Sequence, residues 1–143
     1  MIGIIVSGHG NFASGLLSTL KLIAGEQENV IGIDFIDGQG SDELKNNIKE
    51  AINNLDDDIL ILTDLAGGSP FVNSVILKEE LINKNIAVIS GTNIPMLLEV
   101  VLGRANLDLK DLIKTATEAG VNGINIFELK EKQPEDENID DGI

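Results

Sequence analysis

Ile2-Gly3-Ile4-Ile5-Val6-Ser7-Gly8-His9-Gly10-Asn11 is an apolar run that ends in glycines, and Phe12–Ala24 follows with Phe12, Leu16, Leu20 and Ile23 at helical spacing. The run Ile2–Ser7 is continuous rather than alternating, as in a strand buried on both faces. Strand followed by helix is the first half of a parallel crossover unit. The pattern then repeats along the chain. Val30–Ile36 reads as a second strand, bounded by Asn29 and Asp37-Gly38, and Leu44, Ile48, Ala51, Ile52 and Leu55 mark a helix begun by Ser41 or Asp42. Ile59–Leu62 is a third strand between Asp58 and Thr63-Asp64, Pro70–Ile82 a third helix, and Ile86–Ile89 a fourth strand. Pro95–Leu102 and Asp108–Ala119 make further helices, and Ile124–Leu129 a last strand. There is no internal repeat.

Four such units predict an α/β fold: one doubly wound, mainly parallel open sheet with helices on both faces. In such sheets ligands gather at the carboxyl ends of the strands. The last strand follows two consecutive helices, which leaves it open to antiparallel pairing at an edge or to exchange across a dimer. The expected division is a domain over residues 1–130 and an acidic, polar tail over 131–143.

Composition narrows the function. The 143 residues suit one domain, with 43% apolar and 24% charged residues, an ordinary globular balance. Cysteine is absent, which excludes disulfides, thiolate metal sites and sulfur nucleophiles. No apolar run approaches the ~20 residues of a membrane span. No basic region precedes an apolar stretch at the N-terminus, so a cytoplasmic location is expected. The net charge of −14 repels nucleic acid and anionic lipid, whose recognition needs clustered Lys and Arg. Residues 131–143 hold six acids and one lysine, a net −5, yet the remaining 130 still carry −9. With no Tyr or Trp and four Phe, stacking platforms for bases are not expected either.

The only histidine, His9, stands between Gly8 and Gly10 at the end of the first strand. A lone histidine is as often a surface or core residue as a working one. Here flanking glycines permit close approach, and the strand end presents the ring to solvent. Imidazole can act as nucleophile, base or metal ligand, but a metal would want further strong ligands, and no second His exists. After the third strand comes Thr63-Asp64-Leu65-Ala66-Gly67-Gly68-Ser69-Pro70. Asp64 lies at the same sheet edge as His9. Ser69 has helix-capping character, Pro70 suits a first turn, and the glycines let the loop curl its amides toward an anion at a helix N-terminus. Alone, this stretch is merely a good turn. With His9 and Asp64 it describes a nucleophilic imidazole, a carboxylate to orient it, and a cradle of Gly68 and Ser69 for a transferred phosphate. A third stretch, Ser90-Gly91-Thr92-Asn93-Ile94-Pro95-Met96, offers Thr92 or Asn93 as a cap and is as readily a plain turn as a contact for a partner.

One competing pattern exists. Gly8-His9-Gly10-Asn11-Phe12-Ala13 matches G-x-G-x-x-G/A between strand and helix, and Asp34 offers a ribose-binding acid 24 residues after Gly10. That alternative is a dinucleotide-binding module using Gly8, Gly10 and Asp34. Against it stand the bulky imidazole inside the turn and the lack of room for a substrate domain. No Walker phosphate loop occurs. The histidine phosphatases are disfavoured because Gly8 stands where they place an arginine.

Strand-Gly8-His9-Gly10, Asp64-Leu65-Ala66-Gly67-Gly68-Ser69-Pro70 and Gly91-Thr92-Asn93-Ile94-Pro95-Met96-Leu97-Leu98-Glu99, in this order and spacing, resemble enzyme IIA of the mannose family of the bacterial phosphoenolpyruvate-dependent sugar phosphotransferase system. The resemblance spans about residues 1–130. It departs at Gly8, where many relatives carry Thr, and at Ala66, where an aromatic residue is common. The related phosphocarrier subunit of dihydroxyacetone kinase shares the fold but has a different middle motif. The resemblance implies a phosphotransferase without cofactor or metal, in which His9 accepts a phosphoryl group from HPr and passes it to a histidine of enzyme IIB during sugar uptake. It further implies a homodimer, Asp64 fixing the tautomer of the ring, and Gly68 and Ser69 receiving phosphate oxygens. The sugar itself is not readable from these residues.

Overall fold

The computed structural model describes residues 1–130, and the expected acidic tail at 131–143 lies outside the described residues. Strands β1 (Gly3–His9), β2 (Val30–Phe35), β3 (Asp58–Thr63) and β4 (Asn85–Ile89) form one parallel sheet in the order β2-β1-β3-β4. Helices α1 (Phe12–Ala24), α2 (Ser41–Asn53), α3 (Ser69–Glu80), α4 (Ile94–Gly103) and α5 (Leu109–Asn122) cover both faces. The α/β, doubly wound architecture read from the sequence is thus the observed one.

Why the strands are uniformly apolar is visible in their side-chain alternation. Ile4, Val6, Leu60 and Leu62 face a core completed by Ala13 and Leu20 of α1, Leu97 and Val100 of α4, and Leu112 of α5. Ile5, Ile59 and Ile61 face the opposite way, against Leu44, Ile48 and Ile52 of α2 and Leu77 of α3. A strand between two cores has no solvent side to make polar. Each such fully buried aliphatic side chain contributes roughly 1.5–3 kcal/mol of transfer free energy.

The strand order reverses beside β1. The chain steps from β1 to β2 in one direction, then crosses back to β3 and continues to β4, so α1 packs on one face while α2 and α3 pack on the other. This reversal is the topological switch point, where α/β sheets open a crevice. His9 ends β1 there.

Two expectations change in detail. His9 is the last residue of β1 rather than following it, because β1 stays in register with β2 up to the pair His9–Phe35. Ile124–Leu129, expected as a fifth strand that pairs at an edge or across a dimer, forms none among the described residues. Ile124, Ile126, Phe127 and Leu129 are between 77% and 91% exposed. A strand needs an edge to pair with, and the turn after α5 brings this segment to none among the described residues.

Candidate functional site

The ends of β1 and β2 and the loop between β3 and α3 build the site. His9 is brought to the crevice by β1, and its neighbour in register, Phe35, meets the imidazole edge-on at 5.9 Å between centroids and 61° between planes. Gly10 then turns the chain through φ 58° into α1. Its amide donates to the carbonyl of Phe35 at 2.7 Å, closing the end of the β1–β2 pair.

Asp64 directly follows β3, one strand over. Its Oδ2 accepts from Nδ1 of His9 at 2.8 Å and also from the main-chain N–H of His9 at 2.9 Å. Its Oδ1 accepts from the amide of Leu65 at 2.8 Å. Burial pushes the Asp64 carboxyl up, but the amide and ring of His9, the charge of the ring, and the Leu65 amide together outweigh it and hold the group below the usual carboxylate range. An ionised carboxylate can only accept, so Nδ1 carries a hydrogen, and in the neutral ring Nε2 keeps its lone pair. The exposures divide the roles: the Asp64 side chain is 16% exposed and that of His9 46%. The carboxylate is held and the ring is offered.

The loop from Asp64 to α3 supplies the third part. Gly67, at φ 82°, makes the left-handed turn. Gly68 has an ordinary φ of −74° and is the N-cap of α3, so the helix begins at Ser69, one residue earlier than the sequence suggested, without a side-chain cap. Gly68 matters for its missing β-carbon: one placed there would lie 2.6 Å from Cε1 and 3.3 Å from Nε2 of His9. Only glycine lets the first turn of α3 come against the ring. The Gly68 amide closes its turn on the carbonyl of Leu65 at 3.4 Å. Pro70 has no amide hydrogen, so Ser69 and Phe71 carry the first-turn N–H groups that have no helical acceptor. The start of α3, with the positive end of its dipole, lies against the side of the ring that carries Cε1 and Nε2.

Asp34 is employed otherwise than in a dinucleotide site. Its Oδ1 accepts from the amide of Ser14 at 2.9 Å, so this carboxylate occupies the N-terminus of α1, where a pyrophosphate would sit. A β-carbon at Gly8 would collide with the ring of Phe12, so this chain has matched the smaller residue to the larger.

Sequence reasoning anticipated His9, Asp64, Gly68 and Ser69, and the structure brings His9, Asp64 and Gly68 together around one ring. It missed Phe35, whose signal was the parallel register that sets the ends of β1 and β2 side by side. Of the two caps it offered for α4, Thr92 and Asn93, the structure uses Asn93, whose Oδ1 accepts from the amide of Met96 at 3.1 Å.

The family model described as PTS system fructose IIA component matches residues 3–117. A fructose-specific EIIA component of Bacillus subtilis (strain 168) is 34% identical over 115 residues, covering 79% of this chain and 77% of the relative. A mannose-specific EIIAB component of Escherichia coli (strain K12) is 34% identical over 134 residues, which cover 90% of this chain but 40% of that longer protein. The crystal structure of phosphotransferase system component EIIA from Streptococcus agalactiae superposes with a TM-score of 0.85 at 42% identity, covering 88% of this chain and 97% of that one. The chain belongs to the mannose family of IIA components of the sugar phosphotransferase system. Its role is that of a phosphocarrier component in such a system.

Proposed function

We propose that Nε2 of His9 accepts a phosphoryl group from phospho-HPr and passes it to a histidine of enzyme IIB during sugar uptake, in the cytoplasm. The 2.8 Å bond between Nδ1 and Asp64 carries this reading, because it leaves Nε2 as the free nucleophile. On transfer the N–P bond of the donor breaks as one forms at Nε2. The Nδ1 hydrogen stays on the ring, which becomes cationic, and Asp64 balances that charge. The second transfer reverses these changes, with no net proton gained or lost. Phosphoryl transfer of this kind demands positioning and charge stabilisation more than covalent chemistry. Ser69, its amide, the amide of Phe71 and the dipole of α3 meet the phosphate oxygens, and Gly68 gives them room. No group of three or more His, Asp or Glu close enough to hold a metal occurs among the described residues, and the mechanism calls for none.

Incubation with phosphoenolpyruvate, enzyme I and HPr, read by intact mass, tests the proposal. One acid-labile phosphoryl group per chain is the expected product; unchanged mass refutes it. Asp64→Asn should slow transfer about tenfold without abolishing it, since a neutral acceptor makes a bond roughly half as strong as a charged one. The main-chain N–H of His9 keeps the amide oxygen of Asn turned toward the ring. Because Asp64 is held below the usual carboxylate range, its contribution to stability is complete above that range and is lost as pH falls through the lower folded value. Asp64→Asn should therefore narrow the difference in stability between neutral and acid pH, measured by denaturant unfolding.

We further propose a homodimer in which Ile124–Leu129 pairs with the second copy. The exposed apolar side chains of that segment support it. Phe127→Asp should yield monomers in sedimentation at concentrations where the unaltered chain is dimeric. A monomeric unaltered chain removes this part of the proposal and leaves the phosphocarrier reading standing.

A further inference from the structure

The geometry points to the β4–α4 loop, residues 90–93, as a brace for Asp64, with Asn93 as a positioning residue that acts on His9 through it. The inference rests on the phosphocarrier reading and adds a group that touches neither the ring nor the phosphate.

Asp64 sits in a loop just beyond β3, where sheet hydrogen bonding no longer fixes it. Two amides of the neighbouring loop take over that task. Gly91 N–H donates to the carbonyl of Asp64 at 3.2 Å, and Thr92 N–H donates to the carbonyl of Thr63 at 3.1 Å. Gly91 reaches back in this way from a left-handed turn, at φ 76°. Thr63 returns the contact, its hydroxyl donating to the carbonyl of Ile89 at 3.0 Å. The carboxylate of Asp64 is thus held by His9 and Leu65 at one end, and its carbonyl by Gly91 at the other.

What fixes the loop is Asn93. Its Oδ1 accepts from the amide of Met96, and its Nδ2 donates to the carbonyl of Gly120 in α5 at 2.9 Å. One side-chain amide therefore ties the loop to α4 and to α5 at once. The fit is close: a β-carbon at Gly120 would lie 2.8 Å from the end of Met96 and 3.6 Å from Oδ1 of Asn93. Three hydrogen bonds, joined by the main chain of residues 91–93 and by Asp64 itself, thus connect α5 to Nδ1.

Two variants test the brace. Asn93→Ala loses both bonds, whereas Asn93→Asp keeps the acceptor for Met96, and with it the start of α4, but loses the donor to Gly120. Both are to be read by 15N spectroscopy of the His9 imidazole and by the rate of phosphoryl uptake from phospho-HPr. The expected result is a move from a single Nδ1-protonated tautomer toward a mixture. A fall of about tenfold in kcat should accompany it with little change in KM, since a loosened carboxylate misorients the ring without touching the partner. Should Asn93→Ala not fold, Asn93→Asp decides. An imidazole spectrum unchanged in the folded variants overturns the inference whatever the rate does, and so does a changed spectrum with an unaltered rate. If the unaltered chain takes up no phosphoryl group, the phosphocarrier reading falls, while the tautomer measurement still reports on the brace.

Discussion

His9→Ala should abolish phosphorylation by phospho-HPr altogether while leaving the fold intact. His9 is the only histidine in the chain, and no cysteine can take its place as nucleophile. Removing Nε2 therefore removes the one imidazole nitrogen placed to take the phosphoryl group, and the expected loss is complete rather than graded. The side chain is 46% exposed and its partner Asp64 sits at the sheet edge, so truncation opens no cavity in either core. A surface change of this kind shifts stability by about 0.5 kcal/mol or less, to which the loss of the hydrogen bonds to Asp64 adds a modest term. Intact mass after incubation with the donor system checks the first expectation, and a denaturant midpoint checks the second. Phosphoryl uptake by folded His9→Ala would move the chemistry to another residue and end the assignment.

Gly68→Val should come next in severity, slowing transfer by about 100-fold or more. The new β-carbon would stand 2.6 Å from Cε1 of His9, too close for any pair of carbon atoms, so either the ring or the first turn of α3 must shift. A displacement near 1 Å at a reacting group costs on the order of 100-fold in rate. Ser69→Ala gives the contrast. It takes away one hydroxyl, worth about 1 kcal/mol or up to about tenfold if the bond forms in the transition state, and leaves the loop as it was. The order of the two effects is the decisive reading: a Ser69→Ala variant slower than Gly68→Val would mean that the hydroxyl, not the space beside the ring, carries the site. Backbone strain is not the reason for the expected damage, since Gly68 lies at φ −74°; the strained position is Gly67.

The sheet was legible because its strands are apolar on both faces, and a continuous run such as Ile59–Leu62 has few other meanings. The start of α4 was legible too: of the two capping residues offered, Thr92 and Asn93, it is Asn93 that caps, while Asp108, read as the first residue of a helix, proves to be the cap of α5. Ser69 misled by one position because Gly68, with extended backbone angles, holds the cap, and Ser69 has already turned helical. Ile124–Leu129 pairs with no strand among the described residues for another reason. Apolar spacing states a propensity, whereas a strand also requires an edge, and the edge is decided by tertiary arrangement. At the candidate site, residue types and spacing put His9 and Asp64 at one sheet edge, and there the structure has them in contact. What they could not disclose is that Asp34 bonds to Ser14, or that Gly91 reaches back to Asp64, since both depend on the order of strands in space.

The bond between Asp34 and Ser14 has a consequence for direction. Two helices begin beside His9, and each presents a positive pole to the crevice. One of these poles, that of α1, already has an internal counter-ion in the Asp34 carboxylate. On the proposed role, a phosphoryl dianion on Nε2 would meet attraction from the start of α3 and repulsion from the fixed negative charge of Asp34. Such a field would draw the phosphate toward the α3 side of the imidazole and give donor and acceptor proteins one common line of approach.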